Sequence, residues 1–100
     1  MDRSRVLTLI SMSYEKDDIG QQVPVETRRD VFCNVTSVSS SEFFDAGEAG
    51  LKPEFRATMF LYDYGGEKTV ELDGARYGVY RTYLGRNETI ELYLERKAGA

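Results

Sequence analysis

Apolar and polar residues alternate along most of this chain with a period of two, the spacing of a β-strand that buries one face. Over residues 5–14, Val6, Thr8, Ile10, Met12 and Tyr14 oppose Leu7, Leu9, Ser11 and Ser13. Residues 15–20 form a polar turn ending in Gly20, and 21–27 a weaker extended segment. Pro24 has no N–H for a ladder, which assigns that segment to an edge or a loop. Residues 29–38 read as a firmer strand, with Val31, Cys33 and Val35 on one face and Phe32, Asn34 and Thr36 on the other. Over 54–62, Phe55, Ala57, Met59 and Leu61 alternate with Arg56, Thr58, Phe60 and Tyr62. A turn at 63–66 leads to a short strand, 68–72, and a returning strand, 75–84. Asp73-Gly74 joins these two, and both residues tolerate the positive φ of a type I′ hairpin. Gly85-Arg86-Asn87 turns the chain into a last strand, 88–96, with Ile90, Leu92 and Leu94 inward; 97–100 reads as a loose tail.

One stretch breaks the pattern. Ser39 followed by Glu42 is a capping box, and Val38 with Phe43 fits the hydrophobic staple that accompanies it. The spacing predicts a helix over 40–49, closed by Gly50 in the left-handed position and by Pro53 soon after. Gly47 inside it costs ~1 kcal/mol relative to Ala, which favours a short helix. Because one side of a helix faces a core, the adjacent rings of Phe43 and Phe44 are expected in different environments, leaving a spare apolar face. Six to seven short strands at regular spacing and one helix predict a mainly β fold: a small antiparallel β-barrel with one short α-helix inserted, as a single domain over residues 1–100.

Composition narrows the function classes. The 13 basic and 17 acidic residues leave a net charge of -4, against a basic nucleic-acid-binding surface. There is no His, hence neither the commonest general base nor the commonest metal ligand. Ser39-Ser40-Ser41 lacks the glycines of a nucleophile elbow and reads as a helix cap. Asp17-Asp18, and Glu71 with Asp73, sit at turns without apolar neighbours to raise a pKa, so they read as solvated carboxylates. Gly65-Gly66 is not followed by the Lys-Ser or Lys-Thr of a phosphate cradle. Cys33 is single, in an apolar run, and reads as a core residue. No leader is visible and no run has membrane-crossing length, so a soluble product of a reducing cytoplasm is expected, without cofactor, metal or catalytic residues.

What remains is an interaction surface. Seven Tyr and five Phe are many for 100 residues, and Tyr and Arg are favoured interface anchors. The candidate interaction residues are Glu42, Phe43 and Phe44 on the helix, with Tyr80, Arg81 and Tyr83 on the returning strand. Alternation over 77–83 puts Tyr77, Val79, Arg81 and Tyr83 on one face and Gly78, Tyr80 and Thr82 on the other. Arg81 then serves either as a strut within the domain or as an anchor to a neighbour. Base stacking on Tyr62, Tyr64, Tyr77, Tyr80, Tyr83 and Tyr93 beside Arg76, Arg81 and Arg86 is the nucleic-acid alternative.

An ordered set of short motifs goes further. Val31-Phe32-Cys33-Asn34-Val35 precedes Ser37-Val38, Ser41-Glu42-Phe43-Phe44-Asp45-Ala46-Gly47 and Gly50-Leu51-Lys52-Pro53-Glu54. Asp63-Tyr64, Gly66-Glu67-Lys68, Asp73-Gly74, Tyr77, Val79-Tyr80-Arg81-Thr82-Tyr83 and Ile90-Glu91-Leu92-Tyr93 follow. In this order and spacing, over residues 4–97, the chain resembles the phage head–tail joining family, also called head-closure, stopper or head–tail adaptor proteins. The likeness is to versions from tailed phages and prophages of Gram-positive bacteria; Phe32 stands where many members carry a tryptophan.

The resemblance implies a structural protein of the virion neck, made in the bacterial host cytoplasm. Such small barrels assemble as a homo-oligomeric ring below the portal and its adaptor ring and above the tail. The ring closes the DNA-filled head and offers a docking surface to a tail completion or tail tube protein. DNA passes through its channel without specific binding, which suits an acidic chain, and no catalysis, cofactor or membrane is implied. A tail-side adaptor of similar size and a small nucleic-acid-binding β-barrel are the alternatives.

Overall fold

Period-two alternation produces six strands, and short turns fold them back on one another. The computed structural model describes residues 5–96, so the tail expected at 97–100 lies outside the described residues. In chain order come β1 (Arg5–Lys16), β2 (Gln22–Ser37), α1 (Ser40–Glu48), β3 (Pro53–Phe60), a 3-10 turn (Leu61–Asp63), β4 (Thr69–Leu72), β5 (Ala75–Leu84) and β6 (Thr89–Arg96). All paired neighbours are antiparallel, and the sheet closes in the order β1-β2-β3-β6-β5-β4. The expected mainly β barrel with one inserted helix is therefore what the chain forms.

The inward positions follow the alternation. Leu7 and Leu9, Val31 and Cys33, Ala57 and Met59, Val70 and Leu72, Tyr77 and Val79, and Ile90, Leu92 and Leu94 make one core, a pair or trio from each strand. Burial pushes the Cys33 thiol up to about 11. Asp73 and Gly74 both take positive φ, 52° and 80°, as a type I′ turn requires.

β1 and β2 outrun the barrel. They pair with each other from Arg5 opposite Cys33 to Lys16 opposite Gln22. β4 meets β1 only from Thr8 to Ile10, and β3 meets β2 only from Asn34 to Ser37. Residues 11–27 thus form a two-stranded arm, each strand about 20 Å long at ~3.3 Å per residue, and the molecule measures 51 Å along its longest axis against 31 and 23 Å. The segment expected to be weak at 21–27 is instead the start of a 16-residue strand. Its outer edge is open there, so Pro24, opposite Tyr14, interrupts no ladder on that side. The Asp17 carboxylate closes the tip by accepting from the Ile19 and Gln21 N–H groups at 3.0 and 2.8 Å.

Four charges brace the arm where it leaves the wall. Arg28 donates to Glu26 at 3.2 Å and to Glu71 at 2.8 Å, while Arg76 donates to Glu26 at 2.8 Å and lies 3.9 Å from Glu71. They link β2, β4 and β5 across the outer face, the side on which alternation places Ile10. Ile10 is buried yet belongs to no part of the barrel core.

Candidate functional site

α1 connects β2 to β3 in the chain and packs on the outside of the barrel against β3 and β5, and its caps explain its length. Ser39 Oγ accepts from the Glu42 N–H at 3.2 Å. At the other end the Gly50 and Leu51 N–H groups donate to the Gly47 and Ala46 carbonyls at 3.0 Å each, and Gly50 has φ of 84°, a Schellman closure. The expected capping box is only half made. The Glu42 carboxylate turns away from the Ser39 backbone because β5 supplies better donors: Tyr80 donates to Glu42 Oε2 at 2.8 Å, and Arg81 Nη2 donates to Oε1.

That junction corrects the strict alternation over 77–83. The β5–β6 register shifts between Val79 and Arg81, so Tyr80 is an extra residue and both Tyr80 and Arg81 reach the helix side. Below them is Tyr93, outward on β6 but only 8% exposed. The Arg81 guanidinium carbon sits 4.0 Å from the Tyr93 ring centroid, and Tyr80 meets the same ring edge-on with centroids 6.2 Å apart. Burial opposes the charge on Glu42, but the Tyr80 and Arg81 hydrogen bonds outweigh it and hold the carboxyl below its usual range. Burial and the neighbouring carboxylate raise the Tyr80 phenol. Glu42, Tyr80 and Arg81, named separately from the sequence, form one clamp in which Arg81 bridges the helix and the barrel within the chain.

Phe43 and Phe44 lie on the other side of α1. They are 52% and 67% exposed, meet edge-on at 5.8 Å, and line one shallow groove of about 410 Å³ with Val38, Pro53 and Glu54. The expectation of two different environments is therefore corrected. The only helix side chain that reaches full burial is Ala46, and a residue that small brings the helix too close for either ring to tuck beneath it.

Tyr83 stands apart from the clamp, 58% exposed near the far end of β5, next to the exposed Leu84. The surface missed by sequence reading is the arm, which exposes Met12, Tyr14, Ile19 and Val23. Register puts Met12, Tyr14 and Pro24 on one face of it. The available signal was the run Val23-Pro24-Val25, whose β-branched residues favour a strand. Val6 and Phe32, paired across β1 and β2, add a third exposed apolar spot on the barrel wall. Among the described residues no group of three or more His, Cys, Asp or Glu is arranged to hold a metal ion.

Compared with known proteins, the sequence matches no family model and no curated protein.

Proposed function

We propose that this chain is a structural subunit of a phage neck, a ring-forming head-closure protein seated beneath the portal and adaptor that also receives the tail. The arm is the observation that carries this reading. A two-stranded hairpin is marginal in water, and this one leaves Met12, Tyr14, Val23 and Ile19 uncovered beyond a closed barrel. Such an element suits a protein whose surfaces are completed by neighbours. The sequence resemblance over residues 4–97 supplies the kind of assembly.

The charge pattern favours this reading over nucleic-acid binding. Arg5, Arg28, Arg29, Arg56, Arg76, Arg81 and Arg96, seven of the 13 basic residues, each lie within 4.0 Å of a carboxylate of the same chain, which makes those cations less available to phosphates. The test is reconstitution with the portal–adaptor complex of the same genome, followed by imaging of the neck. A ring layer below the adaptor is expected, and the double variant Phe43→Ser/Phe44→Ser melts like the parent but adds no layer. Attachment to the tail tube alone selects the tail-side adaptor, and salt-sensitive capture of single-stranded DNA selects the nucleic-acid barrel; either result overturns the proposal.

A further inference from the structure

The barrel is complete without its helix. Six strands close on one another, and the core cluster contains no residue of α1. α1 has nine residues, fewer than the roughly 12–15 that a helix needs to persist alone in water. It therefore exists because it is docked, and what docks it is small. Ala46 is its one buried residue, and both phenylalanine rings are more than half exposed.

The strongest contact is polar and distant in sequence. Glu42 is gripped by Tyr80 and Arg81, 38 and 39 positions further along the chain, and Arg81 is stacked on Tyr93. The β5 bulge aims both donors at a single carboxylate. The segment that carries α1 starts and ends on paired strands, since Ser37 lies opposite Phe55 in the β2–β3 ladder. Lifting the helix breaks no strand pairing. Gly50 at positive φ on one side and the coil at Val38 and Ser39 on the other can absorb the backbone change.

We propose that residues 38–52 are a strap that opens as a unit while the barrel stays folded, with the Glu42–Tyr80–Arg81 clamp as its latch. Closed, the strap holds Tyr80 and Arg81 against Tyr93 through Glu42 and presents the Phe43–Phe44 groove. Open, it loses its helix and releases Tyr80 and Arg81 on β5 from Glu42. This inference concerns the isolated protein and does not depend on the neck reading.

Native-state hydrogen exchange on the full chain tests it. The Phe43 and Leu51 N–H groups, bonded to the Ser39 and Ala46 carbonyls, report the strap. The Leu9 and Leu92 amides report the barrel. The expected wild-type result is strap amides exchanging at least ~100-fold faster than barrel amides, the mark of sub-global opening. Glu42→Gln keeps a residue that suits the third helical position but removes the charge that Arg81 grips. It should speed the strap amides about tenfold and leave the barrel amides unchanged. Tyr80→Phe, which removes one donor and no charge, should act in the same direction more weakly. One common exchange rate for strap and barrel in the wild type overturns the proposal. So does a Glu42→Gln protein in which strap rates do not move, or in which strap and barrel rates rise together.

Discussion

Removing the Arg81 side chain should lower the thermal stability of the isolated monomer by an amount that its contacts set. Arg81 makes two contacts that disappear in Arg81→Ala: the ion pair with Glu42 and the stacking on Tyr93, 4.0 Å from carbon to centroid. Its side chain is 44% exposed, so the ion pair is screened by water and contributes ~0.2–1 kcal/mol. A cation over an aromatic ring at a partly exposed site adds ~0.5–1 kcal/mol. Glu42 keeps the Tyr80 hydrogen bond, so it is not left an unpaired buried charge. The sum, ~1–2 kcal/mol, corresponds to a fall in Tm of roughly 5–15 °C in a domain of this size. It has a ceiling: the loss cannot exceed the free energy with which the strap docks, since beyond that point the strap is simply open. Thermal melts of Arg81→Ala beside Arg86→Ala, whose cation has no salt-bridge partner among the described residues, make the measurement. Arg86→Ala should melt with the parent. If Arg81→Ala does so too, the strut is not structural and the reasoning fails.

Gly47 and Gly50 should respond oppositely to alanine. At Gly47 an added Cβ meets nothing within 4 Å and the backbone is helical, so Gly47→Ala should stabilise by up to ~1 kcal/mol. At Gly50 φ is 84°, and Gly50→Ala should cost ~1–2 kcal/mol; denaturant midpoints that move the same way in both variants contradict the cap geometry. Stability should hold at neutral pH and fall as the solution is acidified below about 4.5. Glu26, Glu42 and Glu67 all have pKa values lowered beneath that ordinary carboxylate value, so their contribution is complete above it and is lost as pH drops through the lower folded values. Urea midpoints that rise on acidification from pH 5 to 3 would refute this. Cys33, buried with its thiol raised to about 11, should resist alkylation in the native protein and react at once in denaturant; rapid native labelling would mean that β2 opens locally.

Much of this architecture can be read from the chain because each local signal agrees with the tertiary outcome. Ser39, Gly50 and Pro53 bound the helix by short-range chemistry, and Asp73-Gly74 makes its turn wherever two strands meet it. Alternation identified Val31, Cys33, Ala57, Met59, Leu92 and Leu94 because each faces one core. The failures have equally specific causes. Pro24 does lie on an open edge, as its missing N–H implies, but nothing local shows that residues 21–27 run unbroken into the strand that follows, because their continuation depends on the arm leaving the barrel. The bulge at Tyr80 leaves no mark in composition. It is set by the fit of β5 against β6, and it overturns the face assigned to every residue beyond it. Tyr93 sits at an outward position, and the side chains that cover it are Tyr80 and Arg81, which the bulge rather than simple alternation brings there. The Phe43–Phe44 pair departs from expectation because amphipathic reasoning assumes that a helix buries its largest side chains; this one buries Ala46.

The two strands of the arm run into the barrel wall without a joint. Leu7 and Leu9 in the core share one uninterrupted strand with Met12 and Tyr14 outside it, and the bracing charges at Glu26, Arg28, Glu71 and Arg76 stiffen the crossing. A load applied at Asp18 is therefore delivered as torque to the packed interior rather than dissipated in a swivel. Whatever grips the tip holds the whole body in a fixed attitude, as a key holds a lock cylinder.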